Sequence, residues 1–310
     1  TDPMLESLDI FKNSIAPIKS KKVFSSIDKN PVKKNVLDGV EAYTSTNCDS
    51  IIGFGGGASM DVARAIALKV NHPENDLFDF DDSKGGDRFV VNEIPHFITI
   101  PTTSGTGSEV GRSTVISDDV TKEKKILFAP SLMAKKVFVD PTLSIGLPPF
   151  ITATTGIDAL THNIEAYLAS GFNPMCDGMA LEAIKLVNNS LEKATKDPCV
   201  KSRGEMAMAA LIGATAFQKG LGVVHSMAHP LSTKFNMHHG LANAICLPTG
   251  VKFNDEVVPE RVDEIAKIFE LESGRGLAKY LEKYISNLGL PTNLSSQGVE
   301  PDDIEHLSDL

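Results

Sequence analysis

Short apolar runs and helical patterns alternate over the first half of the chain. Ser50-Ile51-Ile52-Gly53-Phe54-Gly55 reads as a buried strand. Residues 61–70 follow with Val62, Ala65, Ile66 and Lys69 at helical spacing, which predicts a helix. His96-Phe97-Ile98-Thr99-Ile100-Pro101 and Lys136-Val137-Phe138-Val139-Asp140-Pro141 read as two further strands, each stopped by a proline. Strands alternating with helices predict a parallel sheet covered on both faces. After Leu147-Pro148-Pro149 the strand patterns end. Helical patterns take over at 155–169, 175–193, 203–219, around 227–246, 262–269 and 276–288. The expected architecture is an α/β N-terminal domain over residues 1–147 and an all-α C-terminal domain over 148–310, with ligands bound in a cleft between them.

Composition narrows the function classes. The 310 residues are 42% hydrophobic and 23% charged, as in a soluble globular protein. Thirty Lys and Arg against forty Asp and Glu give a net charge of −10. An acidic chain without a basic stripe is a poor nucleic-acid binder and a poor match for an anionic membrane surface. No apolar run approaches the roughly 20 residues that span a bilayer. Cys48, Cys176, Cys199 and Cys246 are scattered, with no CxxC pair. That spacing fits four buried thiols in a reducing, cytoplasmic setting better than a zinc knuckle or redox dithiol.

Three segments carry candidate chemistry. Gly53-Phe54-Gly55-Gly56-Gly57-Ala58-Ser59-Met60-Asp61 joins a strand to a helix. Glycines there let the backbone approach a phosphate, and the helix N-terminus offers free N–H groups. The segment lacks the GxGxxG spacing and any P-loop lysine, so a plain tight turn capped by Asp61 stays open. Pro101-Thr102-Thr103-Ser104-Gly105-Thr106-Gly107-Ser108-Glu109 sits past a strand's C-terminal end, where α/β sheets bind ligands. The third segment is rich in imidazole: five of the eight His fall between 162 and 239. Asp158 and His162 are four apart, as are His225 and His229, and His238-His239 follows. Positions i and i+4 share a helix face, about 6 Å apart along the axis, so two such pairs can close around one ion. Imidazole with a carboxylate suits Fe(II), Zn or Ni rather than Mg or Ca.

Taken in order, these motifs resemble those of the iron-containing (group III) alcohol dehydrogenases. Gly55-Gly56-Gly57 through Asp61 resembles the family's GGGSxxD loop, with Ala58 where the family carries Ser. Residues 101–110 resemble PTTxGTGSEV, residues 156–167 resemble GxDALTHAIEAY, and residues 225–231 with His239-Gly240 resemble HxMAHPLG…HG. The resemblance implies a dehydroquinate synthase-like fold: a dinucleotide-binding α/β domain followed by a helical metal-binding domain. It implies Asp158, His162, His225 and His239 as metal ligands, and sets His229 beside the nicotinamide as a catalytic residue that positions substrate or relays a proton. It gives His238 no role.

The resemblance further implies NAD on Gly56, Gly57 and Ala58, with Asp61, Thr102, Thr103, Thr106 and Lys125 as further cofactor contacts. Asp2 matches an acidic residue at the end of the family's first strand; a carboxylate there bonds the ribose 2′-OH and favours NAD over NADP. The implied activity is reversible hydride transfer between a small primary alcohol or diol and NAD, with a divalent metal, Fe(II) foremost, polarising the oxygen. A hydroxyacid–oxoacid transhydrogenase or glycerol dehydrogenase-like enzyme is the alternative, and a metal-dependent hydrolase a more distant one. The resemblance also implies a homo-oligomer, and a strand before Thr1 and helices beyond Leu310.

Overall fold

The computed structural model describes residues 1, 3–6, 8–19, 21–121 and 123–308. Asp2, singled out above for cofactor choice, lies outside the described residues. The chain divides into two compact units, one of Thr1–Thr102 with Ser108–Leu143 and one of Thr103–Gly107 with Ser144–Leu310.

The first unit contains α1 (Pro3–Glu6), α2 (Asp9–Ile15), α3 (Lys33–Ser45), β1 (Ser50–Gly55), α4 (Gly57–Val70), β2 (His96–Pro101), β3 (Ser113–Ser117), β4 (Lys124–Phe128) and β5 (Lys136–Val137). Among the described residues β1, β2 and β5 form a parallel sheet in the order β1-β2-β5. Ser50 pairs with His96 and Gly55 with Pro101, so both strands end level at the edge where α4 begins. Val62, Ile66 and Leu68 on α4 pack with Leu77, Phe80, Ile116 and Leu127 into the main core of this unit. Two expectations change. The strand expected at 136–141 pairs in register only over Lys136–Val137; the Phe138 N–H makes one more bond, to Thr99 O at 3.0 Å, and a 3-10 turn runs from Pro141 to Ser144. The antiparallel β3–β4 ribbon and α3 had no counterpart in the sequence reading.

The second unit contains α5 (Pro149–Leu168), α6 (Pro174–Lys196), α7 (Val200–Ala216), α8 (Val223–Lys234), α9 (His239–Asp255), α10 (Pro259–Ile268), α11 (Leu277–Asn287) and α12 (Asp303–Ser308). Helix α5 is its axis: every residue from Thr152 to Leu168 is buried. Ile157, Leu160 and Ile164 meet Ile184, Val187 and Leu191 of α6 and Leu247 of α9 in one core. A helix buried all round must satisfy its hydroxyls locally. Thr154 and Thr161 donate to the carbonyls of Phe150 and Ile157, one turn back. The segment read as 227–246 is two helices, separated where Asn236 takes a left-handed φ of 49°. Residues 103–107 cluster with this unit: Gly105 faces Thr155, and Gly107 faces Ala210 and Ala214. No single helix among the described residues is long and apolar enough to cross a membrane.

Candidate metal centre and nucleotide turn

Three helices bring the imidazoles together. Helix α5 presents Asp158 and His162 one turn apart, the first turn of α8 presents His225, and α9 starts on His239. All three Nε2 atoms converge on one oxygen, Asp158 Oδ1: His162 at 3.9 Å, His225 at 3.8 Å and His239 at 3.6 Å. Ligand atoms of Asp158, His225 and His239 lie within 4.8 Å of one another. His162 falls outside that tightest group; its ring stacks on His225 with centroids 4.7 Å apart. Asp158, His162 and His225 are buried, whereas the His239 side chain keeps 30% exposure. Exposed His229 stands at the rim, its ring 5.9 Å from His225 and 5.5 Å from His239. His238 is exposed and meets Phe150 edge-on.

The close approach of α9 to α5 rests on Gly240. A Cβ there would lie 2.2 Å from the Thr154 carbonyl oxygen and 3.4 Å from Asp158 Cβ. Only glycine lets His239, one residue earlier, come this near to Asp158.

The electrostatics follow from burial and pairing. Burial alone would raise the Asp158 carboxyl, but the imidazoles of His162, His239 and His225 outweigh it and hold it below the usual carboxylate range. Desolvation lowers His162 to about 4 and His239 to about 3, keeping both rings neutral and their lone pairs free. Desolvation also works against His225, yet the Asp158 and Glu165 carboxylates together push it up to about 9. On α9, desolvation raises the Cys246 thiol to about 12, with the Glu165 charge adding to the shift.

Sequence spacing missed two groups here. Asn243, one turn after His239, donates Nδ2–H to Asp158 Oδ1 at 2.7 Å and lies 3.2 Å from His225 Nε2. Glu165 accepts the Val224 N–H at 2.6 Å and bonds His225 Nδ1. Position i+7 from Asp158 puts Glu165 on the same helix face, and position i+4 from His239 does so for Asn243; that periodicity was the available signal. The donor set of one ionised carboxylate and converging imidazole nitrogens, closed from most of the solvent, fits a divalent transition metal such as Fe(II), Zn or Ni.

In the first unit β1 delivers Gly56 as the N-cap of α4, with Gly57 and Ala58 in its first turn. No side chain caps this turn among the described residues, so its N–H groups stay available to an anion. Thr102 N–H donates to Gly55 O at 3.0 Å, which ties the end of β2 to the turn. The Asp61 carboxylate is engaged by protein: it accepts from Ser108 Oγ at 2.7 Å, Val115 N–H at 3.1 Å and Arg64 at 3.2 Å. Fully buried Arg64 also donates to Leu132 O, Ser113 O, Ser108 Oγ and Ser108 O. Lys125, on β4, donates to Glu123 at 2.7 Å. Thr103 and Thr106 are half-buried on the loop that clusters with the helical unit.

Comparison with known proteins gives this arrangement its family. Residues 1–141 match the family described as iron-containing alcohol dehydrogenase, and residues 152–310 match the Fe-containing alcohol dehydrogenase family, C-terminal. The chain belongs to the iron-containing alcohol dehydrogenases. It is 37% identical over 291 residues to a 4-hydroxybutyrate dehydrogenase of Cupriavidus necator, covering 90% of this chain and 75% of that one. The crystal structure of a 1,3-propanediol oxidoreductase superposes with a TM-score of 0.94 at 30% identity, covering 99% of this chain and 83% of that one. A sulfoacetaldehyde reductase from Bifidobacterium kashiwanohense, solved in complex with NAD+, superposes with a TM-score of 0.82 at 27% identity, covering 93% and 76%. The fold expected of an iron-containing alcohol dehydrogenase, an α/β N-terminal part followed by a helical part, is the fold observed.

Proposed function

We propose that this iron-containing alcohol dehydrogenase interconverts a small primary alcohol or diol and its aldehyde, with NAD exchanging the hydride. The observation that supports this most is the convergence of three imidazole Nε2 atoms on Asp158 Oδ1 in the helical unit. We assign Asp158, His162, His225 and His239 as the residues that hold the metal, Fe(II) foremost. When bound, the metal supplies Lewis acidity toward the substrate oxygen.

The chain's own residues do the rest. Asp158 stays ionised and offsets positive charge in a site shielded from water. His229, exposed at the rim, exchanges a proton between the alcohol and solvent. The uncapped first turn of α4, with Gly56, Gly57 and Ala58, receives the pyrophosphate. Asp61 and Arg64 serve that turn indirectly, by anchoring the Ser108–Val115 segment beside it. Thr102, Thr103 and Thr106 offer hydroxyls to the cofactor, and Lys125 a charge near its ribose. We take residues 1–147 as the nucleotide-binding part, residues 148–310 as the metal-binding part, and the working form as a cytoplasmic homo-oligomer.

The test is anaerobic reconstitution with Fe(II), Zn(II) or Ni(II), following NADH absorbance with NAD or NADP and a panel of short alcohols and diols. Turnover with Fe(II) and NAD, lost in His225→Ala, is the expected result. Metal binding without turnover of any alcohol would overturn the reading.

A further inference from the structure

We propose that Glu165 is a positioning residue for the metal centre: it fixes the His225 ring with Nε2 toward Asp158 and at the same time closes the N-terminus of α8. This rests on reading the imidazole cluster as a metal site. Glu165 lies on α5, seven residues after Asp158, and is 2% exposed. One carboxylate oxygen accepts the Val224 N–H at 2.6 Å, and the other bonds His225 Nδ1.

Both partners belong to the first turn of α8. Its N-cap, Gly222, has no side chain to cap the helix, so the acceptor comes from α5 instead. A Cβ on Gly222 would lie 2.8 Å from Glu165 Oε1, so the missing side chain is what admits the carboxylate. Among the described residues, His225 is the only basic side chain within ion-pair distance of Glu165. Burying a carboxylate without Lys or Arg is costly, and the helix N-terminus and the imidazole N–H together offset the cost.

The geometry explains why such a group is kept. An imidazole has two nitrogens, and the partner of one decides what the other offers. With Nδ1–H given to Glu165, Nε2 is the atom turned toward Asp158, and on giving up its proton it offers a metal the lone pair a ligand needs. A carboxylate behind a ligating imidazole also makes that ring a stronger donor. Glu165 therefore ties the aim of His225 to the start of the helix that carries it.

Glu165→Gln separates the two roles from simple packing. The amide has one oxygen where the carboxylate had two acceptors, so it cannot serve both Val224 N–H and His225 Nδ1–H. Glu165→Ala removes both. Asn173→Ala is the control: it deletes another cap in the same unit, the Asn173 side chain on the Cys176 N–H of α6. Zn(II) affinity would be measured by chelator competition on each folded protein, beside its metal-free melting temperature. We expect about a 10- to 100-fold loss of Zn(II) affinity in both Glu165 variants and none in Asn173→Ala. Should the alanine variant fail to fold, the glutamine variant decides. The proposal is overturned if the Glu165 variants hold Zn(II) within about twofold of the parent, or if Asn173→Ala weakens it equally. A parent that binds no Zn(II), or binds it as tightly after Asp158→Ala, refutes the metal reading itself and this proposal with it.

Discussion

Glu109 lies 2% exposed just after the Thr/Ser loop, and its Oε2 accepts no hydrogen bond among the described residues. Desolvation raises its pKa from 4.5 to about 7 despite the nearby Arg64 charge. The folded state therefore holds this proton more tightly than the unfolded chain. Its stabilising effect is complete below pH 4.5 and is lost as pH rises through about 7. Glu109→Gln should remove that dependence. The stability difference between parent and variant, from urea unfolding at pH 4.5 and pH 8, should change by on the order of 3 kcal/mol in favour of the variant at high pH. A pH-independent difference would refute it. Residues such as Glu109 and Arg64 show where a sequence stops being legible. Spacing along two helices and a loop marked Asp158, His162, His225, His229 and His238-His239 as one cluster, and the family resemblance narrowed it to Asp158, His162, His225 and His239. Glu165 and Asn243 share a helix face with Asp158 and His239, but that Glu165 meets His225, that Asn243 meets Asp158 and that Arg64 meets Leu132 depends on which distant segment packs against them.

Helices are held at distances that a single methyl group can spoil. Gly240→Ala would set a Cβ against the Thr154 carbonyl and push α9 away from α5, taking His239 with it. We expect a loss of Zn(II) affinity larger than the loss of metal-free stability, checked by chelator competition and thermal melting. Unchanged affinity would mean that α9 adjusts without moving His239. In the first unit the comparable joint is Arg64, which links α4 to the Ser108 turn, β3 and the Leu132 carbonyl. Arg64→Met leaves Asp61 and Glu109 buried without their cation. It should cost about 3–5 kcal/mol in urea unfolding, and a loss below about 1 kcal/mol would show that the carboxylates simply take up protons. Elements were legible in proportion to their pattern. β1 and β2 are continuous apolar runs and match their expected limits residue for residue. In the β3–β4 ribbon, β3 has only Val115 and Ile116 between Ser and Thr residues, and β4 opens on Lys124-Lys125 before three apolar residues, so neither stood out from a loop. The break between α8 and α9 turns on the left-handed Asn236, a cue that a residue-by-residue search for helix ends would have caught.

Each unit of the molecule has its own core, and the metal ligands assigned above all lie in the helical one. Metal should therefore stabilise that unit by mass action. At 100 times the dissociation constant the gain is about 2.7 kcal/mol, or about 5–10 °C in its melting transition. Hydrogen exchange should slow in α5, α8 and α9 on adding Zn(II) and stay unchanged in β1 and β2. Equal slowing in both units would argue against the assignment. The Cys246 thiol, desolvated on the same helix as His239 and raised to about 12, has a consequence for life with iron. Thiolates, not thiols, capture soft metals and are consumed by peroxide. Cys199, at the start of α7, is held below the ordinary thiol value by hydrogen bonding with the Ser202 side chain and backbone, and is the one that iodoacetamide should alkylate first. Cys246 should resist until the chain unfolds. A thiol that stays protonated at neutral pH offers oxidants no anion to attack, so helix α9 carries a cysteine alongside His239 without carrying a reactive sulfur.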